Sequence, residues 1–254
     1  MQKATVRNIT SFLNKTLRVG KIKEDSVNGL QVRSCGNREI RTVGFAVDAC
    51  IPTFQKAKKC GVDLLVVHHG IAWRPQKDRQ LVRRREAYLM KCSMALYAVH
   101  LPLDLHREYG NNVQLARVLG LRQLKKFGRY HGIKIGYSGV LPAAASLAGI
   151  ADRIGKELRS ATRVFPFGKE RIRSIGIISG GGGSMLSEAA QEGLDCFLVG
   201  EVDLAAYNAA NDHRITMIAA GHYATETVGV KALMPLVRDT FAVRTVFIDD
   251  GKDL

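Results

Sequence analysis

Imidazole and carboxylate side chains stand at the ends of three apolar runs in this chain. These are the residue types that hold transition-metal ions and move protons near neutral pH. Residues 62–67 read VDLLVV and stop at His68-His69. Residues 94–99 read MALYAV and stop at His100, with Asp104 four residues on. Residues 215–221 read ITMIAAG and stop at His222, with Glu226 four residues on. Short apolar runs bounded by polar punctuation read as buried strands. Ligands of open α/β sheets collect beyond the carboxyl ends of such strands. Three ends of this kind are a natural shell for one or two divalent ions.

Each candidate has a plain structural alternative. Neighbours on a strand point to opposite faces, so one of His68 and His69 can pack while the other meets water. Where the strand turns into a loop, both rings can swing into one cleft. Pro102 argues against a continuous helix after His100, so 101–105 reads as a loop, and Asp104 can fold back to the strand end or simply cap a turn. His100 can be a ligand, a neighbour of ligands or a proton carrier; the last two readings are preferred, with Asp104 as the ligand. A helix beginning near Thr225 would put His222 and Glu226 on one face, although a first-turn Glu also suits the helix dipole. The run Ser179-Gly180-Gly181-Gly182-Gly183-Ser184 offers either an anion nest or a tight turn. Tyr223 either meets a substrate or packs.

The elements that must position these groups repeat. At an offset of 132, Ile40-Arg41-Thr42-Val43-Gly44 falls on Ile172-Arg173-Ser174-Ile175-Gly176, and Gly61-Val62-Asp63 on Gly193-Leu194-Asp195. At a slightly shorter offset His100 falls on His222 and Asp104 on Glu226. Self-similarity of this kind predicts a duplicated half. Helical spacing is expected over 8–16, 53–60, 80–90, 111–119, 146–158, 184–192 and 202–210. Strands are expected over 133–140 and 244–248, and 74–79 reads as a loop. The basic stretch 121–128 is the expected junction, dividing a first repeat, 1–124, from a second, 125–254. Alternating helices and strands predict an α/β fold.

With 254 residues, 46% hydrophobic and 24% charged, the chain has ample material for a core. No run reaches the length of a membrane span, and the N-terminus lacks an apolar leader, so a cytoplasmic protein without membrane partners is expected. The five cysteines (Cys35, Cys50, Cys60, Cys92 and Cys196) include no C-x-x-C pair, which fits reduced, packed thiols. A net charge of +15 attracts anionic metabolites or, non-specifically, nucleic acid.

The segment Gly221-His222-Tyr223-Ala224-Thr225-Glu226, followed by Gly229-Val230 and Ala232-Leu233, resembles the signature of the NIF3-like dinuclear metal proteins, also called GTP cyclohydrolase 1 type 2 homologues. Val67-His68-His69, Tyr97-Ala98-Val99-His100, Leu103-Asp104, Gly110-Asn111-Asn112 and 179–183 match in the same order, so the resemblance spans nearly the whole chain. Gly70 stands where that family commonly has proline, and Leu101-Pro102-Leu103 replaces a usual threonine-asparagine. The resemblance implies a NIF3-like α/β fold: two duplicated, intertwined halves with helix-covered mixed sheets and the metal site between them. It implies two metal ions per subunit on His68, His69, Asp104, His222 and Glu226, a carboxylate bridging and His100 beside them; mixed nitrogen and oxygen ligands suit zinc, iron, manganese and nickel alike, and in a hydrolase His100 would be the catalytic proton carrier. A toroidal homohexamer, a trimer of dimers, would enclose the sites. The implied activity is metal-dependent hydrolysis of an anionic substrate, in the labelled case GTP. The alternative is a metal-bearing ring that binds nucleic acid or a regulatory partner without catalysis; metal storage or sensing is a third.

Overall fold

The computed structural model describes residues 3–33 and 39–251; Cys35 lies outside them. The first elements are α1 (Val6–Leu17), β1 (Gly29–Val32), β2 (Thr42–Asp48), α2 (Ile51–Lys59), β3 (Leu64–His69), α3 (Arg79–Lys91), β4 (Ala95–Ala98) and α4 (Leu101–Asp104). There follow α5 (Asn111–Leu119), β5 (Arg122–Tyr130), β6 (Ile133–Ser146), α6 (Leu147–Leu158), β7 (Arg163–Phe165) and β8 (Arg171–Ile178). The last are α7 (Leu186–Gln191), β9 (Cys196–Val199), α8 (Leu204–Asp212), β10 (Thr216–Ala219), α9 (His222–Phe241) and β11 (Arg244–Phe247). Among the described residues no helix is long and apolar enough to cross a membrane. The class is α/β, with two mixed sheets.

Packing divides the chain into two compact units, one of residues up to Leu103 with Val230–Gly251, the other of Asp104–Gly229. These limits follow contacts, whereas the limit near 124 follows sequence self-similarity, so the two divisions measure different things. In the first unit the strand order is β1-β4-β3-β2-β11, with β1 antiparallel and the rest parallel. Strands β3 and β4 are apolar almost throughout and buried, as parallel strands under helices are. Phe54, Leu65, Leu89, Leu96 and Ile248 pack in their core. In the second unit the order is β5-β6-β8-β9-β10-β7, with β8, β9 and β10 parallel. Its core gathers Leu115, Ile154, Ile175, Leu198 and Ile218.

The duplication holds at the level of single residue pairs. Val43 lies opposite Leu64, and Ile175 opposite Cys196, both displaced by 132; the same holds through Ala46/Val67 and Ile178/Val199. Asp63 Oδ2 accepts from the backbone N–H of Arg41 (2.9 Å) and Thr42 (3.0 Å). Asp195 Oδ2 accepts from Arg173 (2.9 Å) and Ser174 (3.0 Å), again 132 residues on. The next pair of strands departs from the sequence match. Leu64 lies opposite Ala95 and Cys196 opposite Thr216, an offset of 121 (216 − 95), whereas His100 and His222 differ by 122. The second copy therefore carries one more residue between strand and histidine, and Gly221, at φ +89°, sits in that interval.

One expectation needs correction, and the expected junction has regular structure. Residues 101–104 form the helical turn α4, not a loop, because proline is tolerated in a first helical turn, where its missing N–H has no partner to lose. The basic stretch 121–128 is mostly strand β5, paired with β6; Arg122, Lys125 and Lys126 are exposed while Phe127 is buried. The remaining helices fall close to their expected spans. Local caps set several starts: Thr5 accepts from Asn8 N, Asp78 from Leu81 N and Ser146 from Gly149 N.

Candidate metal centre

Strand β3 ends in His68 and His69, and its pairing with β2 ends there, at Asp48 opposite His69. The two rings lie close together at this strand end, with centroids 4.7 Å apart. His100, two residues past β4, completes a trio, 5.0 Å from the His68 ring and 5.5 Å from the His69 ring. One ligating nitrogen of each lies within 4.8 Å of those of the other two. His68 is fully buried, and its Nδ1 is 3.0 Å from the Val99 carbonyl oxygen. His69 Nδ1 is 2.8 Å from Asp48 Oδ1. His100 Nδ1 is 2.5 Å from Glu24 Oε2, and its backbone N–H donates to Asn28 Oδ1 at 2.7 Å. Every Nδ1 thus faces an acceptor. A neutral imidazole donating from Nδ1 carries its lone pair on Nε2, the arrangement that outer carboxylates and carbonyls impose on metal-binding histidines.

The second cluster lies in the other unit. Helix α9 starts at His222, and Glu226 lies one turn further on, with Nε2 and Oε1 3.3 Å apart. Glu201 approaches the other ring nitrogen, Oε2 to Nδ1, at 3.1 Å. Hydrogen bonding to Glu226, aided by both carboxylate charges and Glu201, outweighs burial and raises the His222 pKa to about 9. Asp104 is buried, and its Oδ1 accepts from Asn111 Nδ2 at 2.7 Å and Ser179 Oγ at 3.1 Å. Asn111 Oδ1 accepts from Gly229 N–H in α9 at 2.8 Å, and Asn112 Oδ1 from Ser179 N–H at 2.7 Å. The two asparagines of the Gly110-Asn111-Asn112 motif therefore tie Asp104, the glycine turn and α9 together.

The glycine run serves close approach. Gly180 has φ +64°, its N–H donates to Thr225 Oγ1 at 3.0 Å, and its carbonyl accepts from Gly200 and Glu201 N–H. A Cβ there would overlap Glu226 Oε1 and reach 3.0 Å from His222 Nε2. With the Ser179 and Gly180 N–H groups committed to protein partners, the tight-turn reading is the one supported. Tyr223 is buried.

The structure groups His68, His69 and His100 in one unit, and Asp104, His222 and Glu226 around the 179–180 turn in the other. Sequence reasoning missed Glu24, Asp48 and Glu201. Asp48 ends strand β2, so the strand-end signal that found the histidines extends to it. Glu201 falls on His69 at the offset of 132, a usable signal. Glu24 carries none, because its partner is 76 residues away. The donors present, imidazole nitrogens and carboxylate oxygens, suit a divalent transition-metal ion, and the carboxylates behind His69 and His100 are the expected outer support.

The chain is similar to known proteins along nearly its whole length. The GTP cyclohydrolase 1 type 2 homolog of Pyrococcus abyssi is 44% identical over 248 residues, covering 97% of this chain and 98% of that protein. The crystal structure of TTHA1606 from Thermus thermophilus superposes with a TM-score of 0.88 at 34% identity, covering 98% of this chain and 100% of that one. Protein ybgI, described as of unknown function, gives a TM-score of 0.90 at 29% identity over 98% of this chain and 100% of its own. The model of the Duf34/NIF3 (NGG1p interacting factor 3) family matches residues 4–253, and the chain belongs to that family.

Proposed function

We propose that this chain binds two divalent metal ions through His68, His69, Asp104, His222 and Glu226 and hydrolyses an anionic substrate, by analogy with its relatives a purine nucleotide. The observation that carries this reading is the imidazole trio, in which all three Nδ1 atoms are turned to acceptors and a nitrogen of each ring lies within 4.8 Å of those of the others, so that His68 and His69 can serve as ligands with His100 beside them. The two clusters are adjacent along the chain: His100 precedes the single turn α4, which ends at Asp104. Bound divalent ions lower the pKa of water and polarise the group attacked. Around them, Glu24 orients the His100 ring through its Nδ1, which suits His100 to proton transfer beside the ligands. The buried carboxylates Asp104 and Glu226 offset cationic charge, and the basic surface draws in anions. Six copies closing into a ring around the sites belong to the same reading, on the strength of the family resemblance.

Metal analysis of protein purified without chelator or added metal tests it. Wild type is expected to carry up to two ions per chain, and His222→Ala and Glu226→Gln to lose at least half of them. Unchanged stoichiometry in both variants removes the site. A hydrolysis screen across nucleotides, with metal-stripped protein as control, then tests catalysis.

A further inference from the structure

The chain has one tryptophan, and it stands beside the imidazole trio. The Trp73 ring meets His100 edge to face, with centroids 5.1 Å apart at 72°, and lies 6.2 Å from the His69 ring. It is only half-buried. Its position is strongly determined. The backbone N–H of Trp73 donates to Gln76 Oε1 at 3.1 Å, and Arg74 N–H donates to the Asp25 carbonyl at 2.7 Å. Val27 N–H donates to the Ala72 carbonyl at 3.1 Å. The segment that holds the Trp73 loop is thus the one whose Glu24 and Asn28 hold His100. The indole N–H donates to the Gly70 carbonyl at 3.0 Å, so its one polar group is committed and the ring offers a π face rather than a hydrogen bond. Exposed Arg74, Lys77 and Arg79 follow within six residues. A fixed, partly open aromatic face next to flexible cations recognises a planar heteroaromatic ring carrying phosphate.

We infer that Trp73 stacks on the base of a nucleoside phosphate, with Arg74 and Lys77 taking the phosphate, and that this segment selects the substrate of the centre proposed above. The inference rests on that reading for its catalytic meaning, but the binding it describes can be measured separately.

GMP, guanosine and ribose 5-phosphate are the probes. Because Trp73 is the sole indole, GMP is expected to quench the protein's tryptophan fluorescence saturably, and ribose 5-phosphate is not. By calorimetry, Trp73→Leu should weaken GMP binding about tenfold and leave ribose 5-phosphate unchanged, whereas Trp73→Phe retains most of the affinity. The double variant Arg74→Ala/Lys77→Ala should weaken GMP but not guanosine. Equal affinity of wild type for GMP and ribose 5-phosphate overturns the inference, as does undiminished GMP binding by folded Trp73→Leu, or absence of quenching by GMP. Metal content is measured on the same samples. Quenching without bound metal sinks the hydrolase reading alone, while bound metal without quenching sinks the stacking alone.

Discussion

Gly180 and His222 show how narrowly the carboxylate-rich cluster is set. An alanine at 180 has two separate costs: the left-handed backbone, about 1–2 kcal/mol for an L-residue, and displacement of Glu226. Gly132 provides the control, since it too has positive φ, at +83°, but nothing lies within 4 Å of a Cβ there. Both variants should therefore lower the melting temperature by several degrees, as expected for a chain of this size. Only Gly180→Ala should also lower metal occupancy, and differential scanning calorimetry with metal analysis separates the two effects. His222 supplies a pH dependence of defined sign. Its pKa is raised to about 9 from an ordinary 6.5, so its pairing with Glu226 and Glu201 stabilises the metal-free fold fully below about 6.5 and is lost as pH rises through about 9. A metal ion bound at the proposed site would have to displace that proton, so affinity should move the opposite way, rising about tenfold per unit between pH 7 and 9. His222→Ala should flatten both slopes in denaturant melts and metal titrations.

At the scale of elements, the paired strands β2–β3 and β8–β9 use the same device at their starts. Asp63 and Asp195 each receive two backbone N–H groups from the neighbouring strand. Removing either carboxylate leaves two donors without their acceptor, and Asp63→Ala and Asp195→Ala should each cost about 1–3 kcal/mol in urea melts. Burial opposes ionisation of Asp195, but hydrogen bonds from Lys169, Ser174 and Arg173 prevail and its pKa is lowered. Its contribution is thus present above the ordinary carboxylate range and lost as pH falls through the depressed value, so Asp195→Ala should melt with a shallower acid limb. These elements also show what was legible in the sequence. The strand ends, the offset of 132 and the span of α5 are written in local pattern: apolar runs, a glycine on either side of 111–119, equal spacing between copies. The extra residue at Gly221 was hidden, because matching the histidines conceals a change in strand register. Glu24 was hidden for another reason, since it gains meaning only from a ring brought to it by folding. The turn α4 was misread because Pro102 was weighed as a helix breaker and not as a first-turn residue.

For the molecule as a whole, the dominant quantity is charge. Each chain carries +15, so the six-membered ring proposed above would carry +90 (6 × 15). Like-charged subunits repel, and added salt screens that repulsion over about 8–10 Å at physiological ionic strength. Assembly should therefore strengthen as salt rises from about 50 mM to 200 mM. Light scattering should then show a mass near six times the 27.9 kDa of the chain. Nucleic-acid binding has the opposite dependence, because its free energy comes from releasing counterions from phosphates. If six to ten phosphates are neutralised, affinity should fall about 10³–10⁵-fold over the same range. The exposed cations of α3 and β5, such as Arg83, Arg84, Lys125 and Arg129, would make contacts of that kind without reference to the histidines. Binding of duplex DNA that survives His222→Ala and tracks salt with one slope in both proteins would mark the surface charge as its source. A slope or an affinity that changes with His222→Ala would instead tie nucleic acid to the metal centre itself and make the ring's two readings a single one.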